Sequence, residues 1–152
     1  MYGTKQLQLT TGLICFLLLW LFAASAFSQD YALKDEVFQR TNDVRTNPVY
    51  FDATLDEIAS IRASEVAETF SHTRPNGLPW NSLLKEFGVH WSACAENIAF
   101  GQSTAAEVMN SWLHSPGHRA NILNESYTHI GIGVTRNHKG QLVWTQIFAR
   151  FQ

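Results

Sequence analysis

The sequence predicts an α+β domain in which helices pack on a small antiparallel sheet, from three observations. Apolar residues recur at helical spacing in segments between Leu33 and Leu113, punctuated by caps and proline stops. Two apolar segments, one of them alternating with glycine, close the chain around a turn. No internal repeat or low-complexity linker divides it, so 152 residues hold room for one domain and little more.

The first 26 residues stand apart from that domain. Lys5 supplies a weakly positive start, and Leu13 to Ala23 form an apolar run of signal-peptide length. Ala24-Ser25-Ala26 is a small-x-small cleavage site. The run is too short, and too quickly followed by polar residues, for a comfortable membrane span. Cys15 does not fit a lipoprotein anchor, because Gly12 stands where a bulky aliphatic residue is wanted and the apolar stretch continues past the cysteine. The expectation is a signal peptide over 1–26 and an exported domain over 27–152, secreted or held in the periplasm or cell envelope, with no stable membrane span after cleavage.

Within the domain, Leu33, Val37, Thr41 and Val44 lie at near-helical spacing, and Asn47-Pro48 stops that helix. Thr54 with Glu57 reads as a capping box opening a second helix. Its apolar stripe runs Leu55, Ile58, Ala59, Arg62, Val66 and Phe70, with only Arg62 out of character. Ser71 to Trp80 carries Pro75, Asn76-Gly77 and Pro79 and is read as a loop. A short helix over Ser82–Phe87 ends at Gly88. Thr104 and Glu107 form another capping box, beginning a helix that buries Val108, Met109, Trp112 and Leu113 and ends at Ser115-Pro116-Gly117. Ile130, Ile132 and Val134 then alternate with Gly131 and Gly133, whose bare face lets another backbone approach. Leu142 to Ala149 follows after a turn at Asn137–Gly140.

Charge and cysteine content exclude several function classes. The formal net charge is −2, and −3 once Lys5 is removed with the signal, so nucleic acid and anionic membrane surfaces are poor partners. Cys94 is the one cysteine left after Cys15, so no disulfide can form within the mature chain and its core must hold it. The H-E-x-x-H, G-x-S-x-G and Walker signatures are absent. Gly131-Ile132-Gly133 lacks the third glycine of a dinucleotide loop.

Three polar residues stand out by context. His72 sits in the Pro/Gly-rich loop, Glu96 within Ala95-Glu96-Asn97-Ile98-Ala99, and His118 after Pro116-Gly117 at the end of the Trp112 helix. Drawn from three loops, they could coordinate a divalent metal with an open position, or form an acid–base pair in which the carboxylate orients an imidazole. A hydrogen-bonded structural centre is the third reading.

The segment Phe70-Ser71-His72-Thr73-Arg74-Pro75-Asn76-Gly77 resembles the F-S-H-x-R-P-[DN]-G signature of bacterial proteins of the CAP superfamily (SCP/TAPS: cysteine-rich secretory, antigen 5 and pathogenesis-related). Cys94 to Gly101 is similar to their G-E-N-I-A-x-G block. Trp112 to Leu123 resembles W-x-x-S-P-G-H-R-x-N-I-L, followed by the I-G-[IV]-G-V and W-T-Q-x-F strands. The resemblance covers essentially everything after the signal, in order. It implies an α-β-α sandwich whose cleft holds His72, Glu96 and His118. The second glutamate of many animal and plant members falls here at His114 or Ser115, so the constellation is incomplete, as is usual in the bacterial branch.

The resemblance points to a secreted, non-enzymatic binding module whose cleft (His72, Glu96, His114, Ser115, His118) takes a divalent metal, a lipid or a cell-envelope component. His72, His118 and Glu96 are the candidate ligands of a cation such as zinc. The alternative is a metal- or His-dependent hydrolase using the same cleft. No catalytic residue is assigned: the Pro116-Gly117 turn separates Ser115 from His118, and nothing local suggests an activated Cys94. Trp112 and Trp144 are expected in the core. Arg74, Arg119 and Asn121 are expected to brace the cleft loops. His90, His129 and His138 are read as surface or strand-end residues.

Overall fold

The structure is a computed structural model that describes residues 28–152. The expected signal peptide, its cleavage site and Cys15 lie outside the described residues. Leu33–Gln152 form one packed unit. The helix α1 spans 28–43, shorter at its end than the spacing suggested, and Val44 falls beyond it and is exposed. The other elements are β1 (Tyr50–Phe51), α2 (Ala53–Glu68), α3 (Ser82–Glu86), β2 (Trp91–Phe100), α4 (Ala105–His114), α5 (Pro116–Leu123), β3 (His129–Arg136) and β4 (Leu142–Phe151).

The four strands lie in the order β1-β3-β4-β2. Both pairings of β4 are antiparallel, whereas β1 joins β3 in parallel through Tyr50 and Phe51. The closing hairpin is therefore the centre of a larger sheet, with a strand added on each side of what the alternation predicted. Helices cover both faces, which makes an α-β-α sandwich. On one face α2 and α3 bury Leu55, Ile58, Ala59, Leu83 and Leu84 against Ile147 and Ala149. On the other, α1, α4 and α5 bury Val37, Val108, Met109, Trp112 and Ile122 against Ile130, Ile132, Trp144 and Phe148.

The glycines of β3 set the distance between the sheet and α2. A Cβ on Gly131 would collide with the Leu55 carbonyl, and one on Gly133 with the Ala59 carbonyl oxygen. The helix backbone thus lies directly on β3, as the bare strand face predicted. Thr145, opposite Gly133 in the register, donates its hydroxyl to that same Ala59 carbonyl at 2.6 Å.

Local chemistry explains where helices begin. Asp52, rather than Thr54, caps α2: its Oδ1 accepts the Leu55 N–H at 2.9 Å. Thr104 caps α4 as expected, accepting the Glu107 N–H at 3.1 Å, while Glu107 reaches back to the Ser103 N–H. Pro116 ends α4, but it also starts α5, because proline at the first helical position loses no needed N–H. Among the described residues, no helix is long and apolar enough to cross a membrane.

Candidate functional site

Glu96 lies not in a loop but at the middle of β2, opposite Ile147 of β4. Strand alternation turns Cys94, Glu96 and Ile98 toward α2, and Ala95, Asn97 and Ala99 toward α4 and α5. Cys94 packs beside Leu84 and Ile147, and Ile98 beside Val66, in agreement with that alternation.

The Glu96 side chain is wholly buried, and so is that of Arg62, the charged residue on the apolar stripe of α2. Arg62 Nε donates to Glu96 Oε1 at 2.7 Å, and Nη2 approaches Oε2 at 3.4 Å. His72 Nδ1 meets Glu96 Oε2 at 2.7 Å, with the imidazole itself 56% exposed. Burial opposes the charge of Arg62, but the Glu96 and Glu65 carboxylates outweigh it and hold the guanidinium above its ordinary value.

The same guanidinium reaches beyond Glu96. Its Nη2 donates to the Ser71 carbonyl at 2.8 Å, and its Nη1 pairs with Glu65. Glu65 in turn accepts from Arg74 Nε at 3.0 Å, and Arg74 Nη1 donates to Ser82 and Glu86. His72 is thereby gripped at the residue before it and again two residues after it. Its own carbonyl accepts the Trp80 N–H at 3.1 Å, closing the loop as a narrow turn in which Gly77 takes φ +82°.

His118 is the third residue of α5, not the end of the preceding helix. Its carbonyl accepts from Asn97 Nδ2 at 3.2 Å. Asn97, fully buried, also donates to Gln146 Oε1 at 3.0 Å and accepts from Asn121 Nδ2 at 2.9 Å. Gln146 continues to Thr41 Oγ1 at 2.8 Å, so α1, β4, β2 and α5 share one chain of amides. Arg45 pins the far end of α5 through the carbonyls of Ile122, Asn124 and Tyr127. Burial, and then the positive charge of His72, hold the half-buried His118 imidazole below its ordinary value.

The other expected site residues stand further out. His114 ends α4 in an exposed position and faces its own helix, Nδ1 to the Asn110 carbonyl at 2.8 Å. Ser115 is the cap between α4 and α5 and makes no side-chain cap bond. Arg74 bonds Glu65, Ser82 and Glu86 and Asn121 bonds Asn97, tying the segments around His72 and His118, while Arg119 is exposed. Burial pushes the Cys94 thiol up, against a hydrogen bond from Asn81 that lowers it. Among the described residues, no group of three or more His, Cys, Asp or Glu side chains is arranged to hold a metal. Both Glu96 oxygens already serve Arg62 and His72.

Sequence reasoning missed Arg62. Its signal was present, a lone charge on an otherwise apolar stripe, but its partner lies 34 positions away on a strand that was not foreseen.

Comparison with known proteins agrees with this architecture. Over 131 residues the chain is 37% identical to the uncharacterised protein YkwD of Bacillus subtilis (strain 168), a match covering 82% of this chain and 49% of YkwD. The crystal structure of an extracellular protein containing an SCP domain from Bacillus anthracis superposes with a TM-score of 0.73 at 28% identity, covering 80% of this chain and 41% of that one. An outer surface protein of Borrelia burgdorferi shares the fold, with a TM-score of 0.68 at 20% identity, over 80% of this chain and 92% of its own. The chain spans about half the length of YkwD. The family model for the cysteine-rich secretory protein family, CAP, matches residues 40–148, and the chain belongs to that family as a bacterial-type CAP domain.

Proposed function

We propose that this chain is an exported, non-enzymatic binding module whose cleft presents His72 and His118 to a divalent cation such as zinc, and through it to a small cell-envelope ligand. The observation that carries the reading is the 2.7 Å bond between His72 Nδ1 and the buried Glu96 carboxylate. A carboxylate acceptor favours the proton on Nδ1 and leaves the Nε2 lone pair facing outward, the arrangement that supports metal-bound histidines in general. His118, held below its ordinary value, supplies a second neutral imidazole near pH 7. Glu96 fits the role of orienting carboxylate better than that of ligand. Zinc held by the two imidazoles would supply a Lewis-acid centre with positions left for water or a ligand oxygen. Export is supported by the N-terminal signal pattern and by neighbours described as extracellular and outer-surface proteins.

The hydrolase alternative finds less support. Glu96 is buried and doubly bonded, so it is badly placed to take a proton from a water, and the Cys94 thiol is shifted away from the thiolate. Calorimetric zinc titration of the purified chain beside His72→Ala/His118→Ala tests the proposal. Saturable binding lost in the double variant is expected; equal or absent binding in both overturns it. Turnover of peptide, ester or peptidoglycan substrates that the double variant abolishes would replace it with the hydrolase reading.

A further inference from the structure

We infer that Arg62 is a positioning residue for His72: by claiming one oxygen of Glu96 it fixes the group that His72 Nδ1 meets, and so which nitrogen of His72 carries the proton. A guanidinium can only donate hydrogen bonds. At 2.7 Å from Glu96 Oε1, Arg62 Nε requires an acceptor at that atom, and the remaining oxygen, Oε2, is the one that meets His72 Nδ1 at 2.7 Å. Both side chains of the ion pair are wholly buried, so no water competes to reorient the carboxylate. The Ser71 carbonyl and the Glu65–Arg74 pair, tied to the same guanidinium, fix the backbone on either side of His72 and hold the ring in line. The result is an Nδ1–H tautomer whose Nε2 lone pair is turned out. This deepens the binding role proposed above, because it makes a residue that touches no ligand responsible for the donor atom.

The inference makes a sharp prediction for Glu96→Gln. Arg62 must keep the amide oxygen on its own side, so the amide nitrogen faces His72 and donates to Nδ1. The proton of His72 then moves to Nε2, and the tautomer inverts. In Arg62→Met/Glu96→Gln nothing fixes the amide, and the inversion is lost. Nitrogen-15 NMR of the metal-free chain, at about pH 8.5 where a free imidazole is neutral, reads the tautomer directly. The wild type should show Nδ1–H, Glu96→Gln should show Nε2–H, and the double variant a mixture. Zinc affinity should fall about 10- to 100-fold in Glu96→Gln, the usual range for losing an orienting partner, and recover in part in the double variant.

An unchanged tautomer in folded Glu96→Gln, or inversion that persists in the double variant, overturns the role of Arg62. If Glu96→Gln does not fold, the double variant decides: a mixture of tautomers supports the role of Arg62, and a single defined tautomer overturns it. Inversion without zinc binding by the wild type would sustain the inference and defeat the binding proposal; zinc binding without inversion would do the reverse.

Discussion

His72 is held by charge and His118 by neutral amides. On the α2 face of the sheet, Glu86, Arg74, Glu65, Arg62 and Glu96 alternate in sign up to His72. On the opposite face Asn97, Asn121, Gln146 and Thr41 pass hydrogen bonds between uncharged groups. The adjacent strand positions 96 and 97 feed the two arms because β2 sends successive side chains to opposite faces. The charged arm ends on a side chain and governs its protonation. The neutral arm ends on the His118 carbonyl and governs where a helix sits. At the centre of the charged arm, removing either Arg62 or Glu96 leaves a charge in the interior, while a neutral arm loses hydrogen bonds one at a time.

The largest expected effect follows from that asymmetry. Arg62→Met strands the buried Glu96 carboxylate and should lower stability by about 3–5 kcal/mol, whereas Arg62→Met/Glu96→Leu, which removes both charges, should recover most of the loss. Urea denaturation of the three proteins at pH 7 checks this. A single variant no worse than the double would show that the pair is not sealed from water, and the contrast between the arms would fail.

Asn97→Ala should be the milder lesion. It leaves Gln146 Oε1, the Asn121 amide and the His118 carbonyl short of a partner, and should cost about 1–3 kcal/mol in the same assay. Its local signature should be faster amide hydrogen exchange at the start of α5, where the carbonyl of His118 loses its anchor. Loss equal to that of Arg62→Met would mean that the amide chain, not the ion pair, is the stronger support.

How much of this was readable in advance divides along the same line. The capping residues of α4, the alternation of β3 with its two glycines and the core places of Trp112 and Trp144 are local or periodic features, and they were read correctly. β2 escaped because its buried stretch uses Ala95, Glu96, Asn97 and Ala99, small or polar residues with no alternation of apolar character. It is also an edge strand whose Glu96 and Ile98 carbonyls are covered by side-chain donors from Asn121 and Trp112, which no strand pattern announces. α5 escaped because Pro116-Gly117 serves equally as a stop and a start. The parallel β1 holds two residues and leaves no period to detect. His72, Glu96 and His118 were found through their motifs, and Asn97 as a residue tying loops together, but Arg62, the partner that gives Glu96 its charge pairing, depends on a contact 34 positions apart.

The smallest effect tests whether the arms communicate. Burial first, and His72 second, hold His118 below its ordinary value of 6.5. Above that value the imidazole is neutral in the folded and unfolded chain alike and contributes nothing to pH dependence. As pH falls through it, the unfolded chain takes up the proton before the folded one, so stability declines until pH passes below the folded value, where the loss levels off. His118→Gln should flatten that part of the stability profile below about pH 7, read by urea denaturation. His72→Gln removes the second cause alone, so a proton NMR titration should find His118 moved part of the way back toward 6.5 while burial keeps it below. A His118 midpoint that ignores His72→Gln would mean that the rings do not sense each other, and that the charged and neutral arms support two separate features instead of one cleft.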